Sequence, residues 1–257
     1  MTTGAGQRVH APQTIDEVVE HLDAVIDWAR REHSRVGYFA AMYRGVTLRV
    51  HEGIIAGRFE DGELMERLDV AFANRYLEAV AQYRRGEATT QAWNVAFAAA
   101  TAWRPIVLQH LLLGINAHIN LDLGIACAQV APADTLPGLQ RDFDAINAIL
   151  RTMIDEIQDK LGHVWPSMRI CDLVGCRTDE ALFNFSIRKA REAAWRVAVR
   201  LAPLDAEQAA KEIAYVDQDT ARLARLIRRP GFVASGGLVL VRIAEKNDIA
   251  QVIDYLR

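Results

Sequence analysis

The stretch WRPIVLQHLLLGINAHINLDLG, from Trp103 to Gly124, limits what this chain can fold into more than any other. Its apolar residues recur at helical spacing and spread around most of the helix, so the helix belongs inside the protein. Yet it carries Gln109, His110, Asn116, His118, Asn120 and Asp122. Each polar group buried on such a helix costs free energy until it finds a partner. Neighbouring segments must therefore bring polar groups to it, as a hydrogen-bond network or as a site.

Those neighbours also read as helices. Thr14 and Glu17 form a capping box ahead of the stripe Ile15, Val18, Val19, Leu22, Val25, Ile26 and Ala29. Further helices are expected from about Val36 to Ile55 with a stop near Gly57, from Asp61 to Gly86, and over Thr90 to Ala102. Pro105 is expected in the first turn of the central helix. After the loop marked by Pro132 and Pro137, a helix should run to Gly162, another from Thr178 or Asp179 to about Ala202. The last two run from Asp205 to before Pro230 and from Asn247 or Asp248 to Leu256. Residues 163–176, with Trp165-Pro166, show no period and read as an ordered loop. LVLVRI, residues 238–243, is β-branched enough for a strand but has no strand to pair with. The expected fold is all-α, a single-domain multi-helix bundle around a buried polar central helix, with residues 1–13 a flexible N-terminus.

Several function classes fall away on composition. A net charge of -3 over 257 residues leaves no basic footprint for nucleic acid or an anionic membrane. The first residues, MTTGAGQRVHAPQ, carry no apolar export core, and the polar groups of the central helix argue against a lipid-facing role, so a cytoplasmic protein is expected. Three cysteines, Cys127, Cys171 and Cys176, form neither a disulfide framework nor a thiolate zinc site. There is no phosphate-binding glycine loop, dinucleotide fingerprint or nucleophile elbow. The partner expected is a small-molecule ligand or substrate; alanine-rich faces are compatible with a homodimer.

At about 100° per residue, His110, His118 and Asp122 share one side of the central helix, with Gly114 between them. His118 and Asp122 lie one turn apart and can meet or converge on one ion. Imidazole and carboxylate hold zinc, iron or manganese without thiolates, so a divalent metal bound by His51, His110, His118 and Asp122 is one expectation. His51 and Glu52 come from RVHEGI on the second helix, where Tyr43, Thr47 and His51 recur at four-residue spacing. Asp69, Asp142, Asp144 and Asn147 are further carboxylate and amide sources. No strict metal-binding signature accompanies them. Asn116 and Asn120 read as helix–helix hydrogen bonding or as substrate contacts. Asn184 and Arg188, in the helix leading to Trp195, are expected to meet an anionic or polar substrate group; Arg188 could instead neutralise Asp122 or Asp142 in a buried network.

The segments RVHEGI, FANRYLEA, WRPIVLQHLLLGINAHINLDLG and NFSIRKAREAAW together resemble a family of bacterial helical proteins known only as a domain of unknown function. The resemblance spans about Val36 to Leu201. It implies one helical domain and carries no catalytic residues.

Three readings follow. In the first, a metal-dependent helical enzyme, a hydrolase, uses His51, Glu52, His118 and Asp122 as catalytic groups and activates water on the ion. Tyr43, Asn116, Asn120, Asn184 and Arg188 would then contact substrate. In the second, a metal-free protein lines a cavity for a small apolar molecule with the central helix, either as a binder or with His118–Asp122 as an acid–base pair. In the third, the polar groups form a closed structural network.

Overall fold

The first helix begins as its capping pattern requires, with Thr14 Oγ1 accepting from Glu17 N at 3.3 Å. The Glu17 carboxylate reaches back to Gln13 N, one residue earlier than a standard capping box. The computed structural model describes residues 10–164, 179–229, 238–239, 241–243, 245 and 248–257, with the backbone alone along 154–164 and 179–186. Among these residues there are ten α-helices and no strand: α1 Ile15–Arg31, α2 Val36–Ile55, α3 Gly62–Arg85, α4 Gln91–Ala100, α5 Val107–Ala117, α6 Gly124–Val130, α7 Leu136–Val164, α8 Asp179–Leu201, α9 Ala206–Arg228 and α10 Ile249–Leu256.

The central helix runs continuously from α5 through residues 118–123 into α6, Val107–Val130, long and apolar enough to cross a membrane but mostly buried inside the bundle. Around it stand α2, α3, α4, α8 and α9, while α1 and α10 back α2 from the outside. Close approach depends on glycine at two points of the central helix. A Cβ on Gly114 would lie 2.4 Å from the Phe39 ring of α2, and one on Gly124 would lie 2.7 Å from the Ala194 carbonyl of α8.

Several helix starts are completed from far away in the chain. The Asp217 carboxylate of α9 accepts from Gln91 N and Ala92 N at the head of α4, at 2.8 and 2.9 Å. Glu245 accepts from Val107 N at 2.9 Å, at the head of the central helix. Asp142 of α7 accepts from Glu60 N and Asp61 N just before α3. Such carboxylates satisfy donors that a helix cannot satisfy itself and complement its dipole.

Some expected details are corrected. The central helix begins at Val107, so Pro105 lies outside it rather than in its first turn. Helix α7 runs through Gly162 to Val164. Residues 238–239 and 241–243 are helical, so the LVLVRI segment supplies no strand there. The rest of the expected 163–176 loop, with Trp165, Cys171 and Cys176, lies outside the described residues.

Gly124→Ala should lower stability by about 1–3 kcal/mol, because α8 must move away from the new methyl group. Thermal melting reads this as a drop of several degrees, and an unchanged midpoint would show that α8 does not need the contact.

Candidate functional site

The central helix changes its winding where its polar residues are densest. From His118 to Leu123 the backbone forms a π-helical turn between α5 and α6. Such turns are rare and recur at functional sites. This one holds His118 Nδ1 3.3 Å from Asp122 Oδ2. Both residues are deeply buried, at 2% and 1% exposure. Two other helices grip Asp122: Arg75 Nε of α3 donates to Oδ1 and Trp93 Nε1 of α4 donates to Oδ2, both at 2.9 Å. A carboxylate removed this far from water is held by its donors, one of them cationic.

An ionised carboxylate only accepts, so the hydrogen bond assigns the proton of His118 to Nδ1. Nε2 then carries the lone pair, and it is buried without a hydrogen-bond partner. Burial pulls the His118 pKa below its ordinary value, against the opposing pull of Asp122. The ring is therefore neutral at pH 7. It sits in an aromatic cage, stacked on Phe72 at 3.5 Å and met edge-on by Tyr43 at 4.5 Å. Phe39, Tyr76 and Trp93 complete the cage. Phe72 is the one half-buried wall; the other four rings are buried.

A second polar group lies behind Tyr43. Tyr43 Oη, Thr47 Oγ1 and Asp69 Oδ2 are all buried without hydrogen-bond partners. Burial, then the nearby Asp69 charge, pushes the Tyr43 pKa well above its usual value. Burial, then Glu66, raises Asp69 to about 7.

Outside Asp122 a groove of about 400 Å³ opens between α3, α4 and α6. Arg75, Glu78, Gln82, Trp93, Asp122 and Gln129 are among the residues lining it. A hollow of about 490 Å³ lies farther along α3 under Pro12–Thr14, but none of the central helix's polar groups reaches it. Volume alone does not mark the site.

The sequence-derived candidates divide sharply. His118, Asp122 and Tyr43 come together. His51 instead faces Asp16 across α1, Nδ1 to Oδ1 at 3.6 Å, and Glu52 is 71% exposed. His110 meets Tyr38 edge-on, and burial with Arg35 and Arg242 lowers its pKa to about 3. Gly114 between the two central histidines is filled by Phe39. Among the described residues no three His, Cys, Asp or Glu side chains group as a metal ion needs. The proposed ligand set His51, His110, His118 and Asp122 is thus not assembled.

Asn116 donates to Thr220 O of α9 and accepts from Asn120 Nδ2, both at 3.0 Å. Gln109 Nε2 donates to Ile227 O at 2.7 Å. These amides tie the central helix to α9. Arg188 is 57% exposed and lies 3.8 Å from Glu192, remote from the role of neutralising Asp122. The buried arginine of that helix is Arg191, which donates to Asn147 Oδ1 and Phe143 O. The Asn184 side chain lies outside the described residues. Sequence reasoning missed Arg75 and Trp93. Both sit on amphipathic helices whose patterns conceal which polar group turns inward, although Arg75 falls within the distinctive FANRYLEA segment.

A family model described as "Family of unknown function (DUF5995)" matches residues 15–230. The chain belongs to this family. No curated protein and no solved structure matched. The DUF5995 match takes in the π-turn, the cage and the groove. It also reaches beyond the Val36 to Leu201 span of the sequence resemblance, to include α1 and α9.

Asp69 generates a pH prediction. Its folded pKa of about 7 lies above the unfolded value, so its contribution is largest below about pH 4 and is lost as pH rises through 7. Asp69→Asn removes that loss. Relative to wild type, the variant should gain about 2–3 kcal/mol between pH 5 and 8.5 in urea unfolding. A pH-independent difference would show that the carboxylate is not destabilised there.

Proposed function

We propose that the groove beside Asp122 binds a small polar molecule and that His118 with Asp122 serves it as an acid–base pair. The observation that carries this reading is the orientation of His118: Nδ1 is fixed on a buried carboxylate and the Nε2 lone pair is left without a protein hydrogen-bond partner. A carboxylate that orients an imidazole and stabilises its protonated form is the arrangement general-base catalysis uses. The neutral state of the ring keeps Nε2 available to take a proton at neutral pH.

The groove reaches Asp122 rather than the ring itself, and Phe72 is the cage wall that is not fully buried. Displacement of Phe72 by a bound molecule is the route by which a reacting atom meets Nε2. The groove's size suits a small molecule, and its arginine, glutamines and carboxylates favour a polar one over the apolar ligand of the second sequence reading.

A metal-dependent hydrolase has less support. His51 and His110 are engaged with Asp16 and Tyr38, away from Asp122, and their side chains would have to leave those neighbours to share an ion with it.

The indole N–H of Trp93 reports directly on Asp122, and the chain has only five tryptophans. In a screen of small polar fragments by proton–nitrogen NMR, binders should shift the Trp93 indole and the His118 ring resonances together. Fragments that bind only elsewhere, leaving both signals unmoved, would overturn the proposal.

A further inference from the structure

Arg75 holds Asp122 with one edge only. Its Nε is the atom within hydrogen-bond distance of Oδ1, and among the described residues its two terminal NH₂ groups have no acceptor. The side chain is 23% exposed and lines the groove. Asp122 fixes the guanidinium from behind, so its outward fork is held in place before any ligand arrives. Arginine in this state presents parallel N–H donors matched to the two oxygens of a carboxylate.

Resting on the groove being the ligand site, we infer that its ligand is a small organic carboxylate, bound end-on by the Arg75 fork. The other charged groups of the lining fit a monoanion. Asp122 is already satisfied by Arg75, Trp93 and His118. Glu78 is engaged by Arg85 and Gln82. Their two negative charges repel a dianion such as phosphate more than a carboxylate. Gln129 and Gln82 add amides on the same walls, suited to the neutral part of the molecule.

A carboxylate on Arg75 also acts on the acid–base pair. It shares the guanidinium that Asp122 otherwise holds alone, and it brings a negative charge toward His118. Both effects favour the protonated imidazole. Carboxylate binding and proton uptake by His118 are therefore linked, each strengthening the other. The binding group and the proton acceptor belong to one connected set of side chains: Arg75, Asp122, His118.

The test uses the full-length protein and matched probes: benzoate against benzamide, acetate against acetamide, and inorganic phosphate, at constant ionic strength. Affinity is followed by the Trp93 indole signal and by the Arg75 side-chain nitrogen resonances. Each acid should bind about ten- to a hundredfold more tightly than its amide, and benzoate more tightly than phosphate. The Arg75 terminal nitrogens should shift with the acid and not with the amide. Arg75→Gln should erase the preference, and Arg75→Lys, which keeps the charge but loses the fork, should keep only part of it. The lysine variant and the wild-type nitrogen shifts decide the matter if the glutamine variant unfolds. Amides binding as tightly as acids would retain the groove and reject the carboxylate. Phosphate binding more tightly than benzoate would reject the monoanion. If no probe moves the Trp93 indole, the groove itself is rejected and the inference with it.

Discussion

Asp122 is the point on which three layers of the bundle agree. Its carboxylate is buried, and an ionised group in that position is tolerated only when donors surround it. The donors come from α3, from α4 and from its own π-turn. Removing any one of them leaves the buried carboxylate with one donor fewer. The same requirement sets the rotation of α3, because Arg75 must face inward, and the register of α4, because Trp93 must reach Oδ2. Phe72 and Tyr76 are carried along with Arg75, and they build the cage around His118.

The π-turn explains how one helix can be both core and site. Its apolar residues pack on all sides, as in any buried helix, while the π-turn carries His118 and Asp122 where Arg75 of α3 and Trp93 of α4 arrive. A second hydrogen-bond seam, Gln109 and Asn116 on α9, runs along a different side of the helix. The two seams divide the polar residues by task. One fixes the helix against its neighbour through backbone carbonyls, and the other keeps a titratable ring under tension between burial and a carboxylate.

Much of the fold was legible because helical periodicity and caps are local. Thr14, Asp61, Gly86, Asp205 and Asp248 all mark boundaries where the sequence places them. The His118–Asp122 pair was legible for the same reason, since four-residue spacing on a helix is a contact. What could not be read were partners brought by tertiary packing. His51 looks like a ligand from its neighbours in sequence, yet α2 packs on α1 with this ring facing Asp16. Arg188 looks like the inward cation of α8, yet Arg191, three residues on, takes that place because Phe143 and Asn147 lie opposite it. Pro105 misled because a proline suits a helix start in isolation, whereas Glu245 and Gln109 set this one.

The remote carboxylate caps bear on how the chain reaches this state. The head of α4 waits for Asp217, that of the central helix for Glu245, and the approach to α3 for Asp142. The sequence separations are 125, 138 and 81 residues, so these three helix starts draw on tertiary contact, whereas α1 is capped locally by Thr14. An all-helical chain would ordinarily assemble quickly from local contacts. Here the heads of α4 and of the central helix hold donors that Asp217 and Glu245, late in the chain, satisfy. Early and late helices are thus coupled through buried carboxylates, and the π-turn lies on a helix whose head one of them completes.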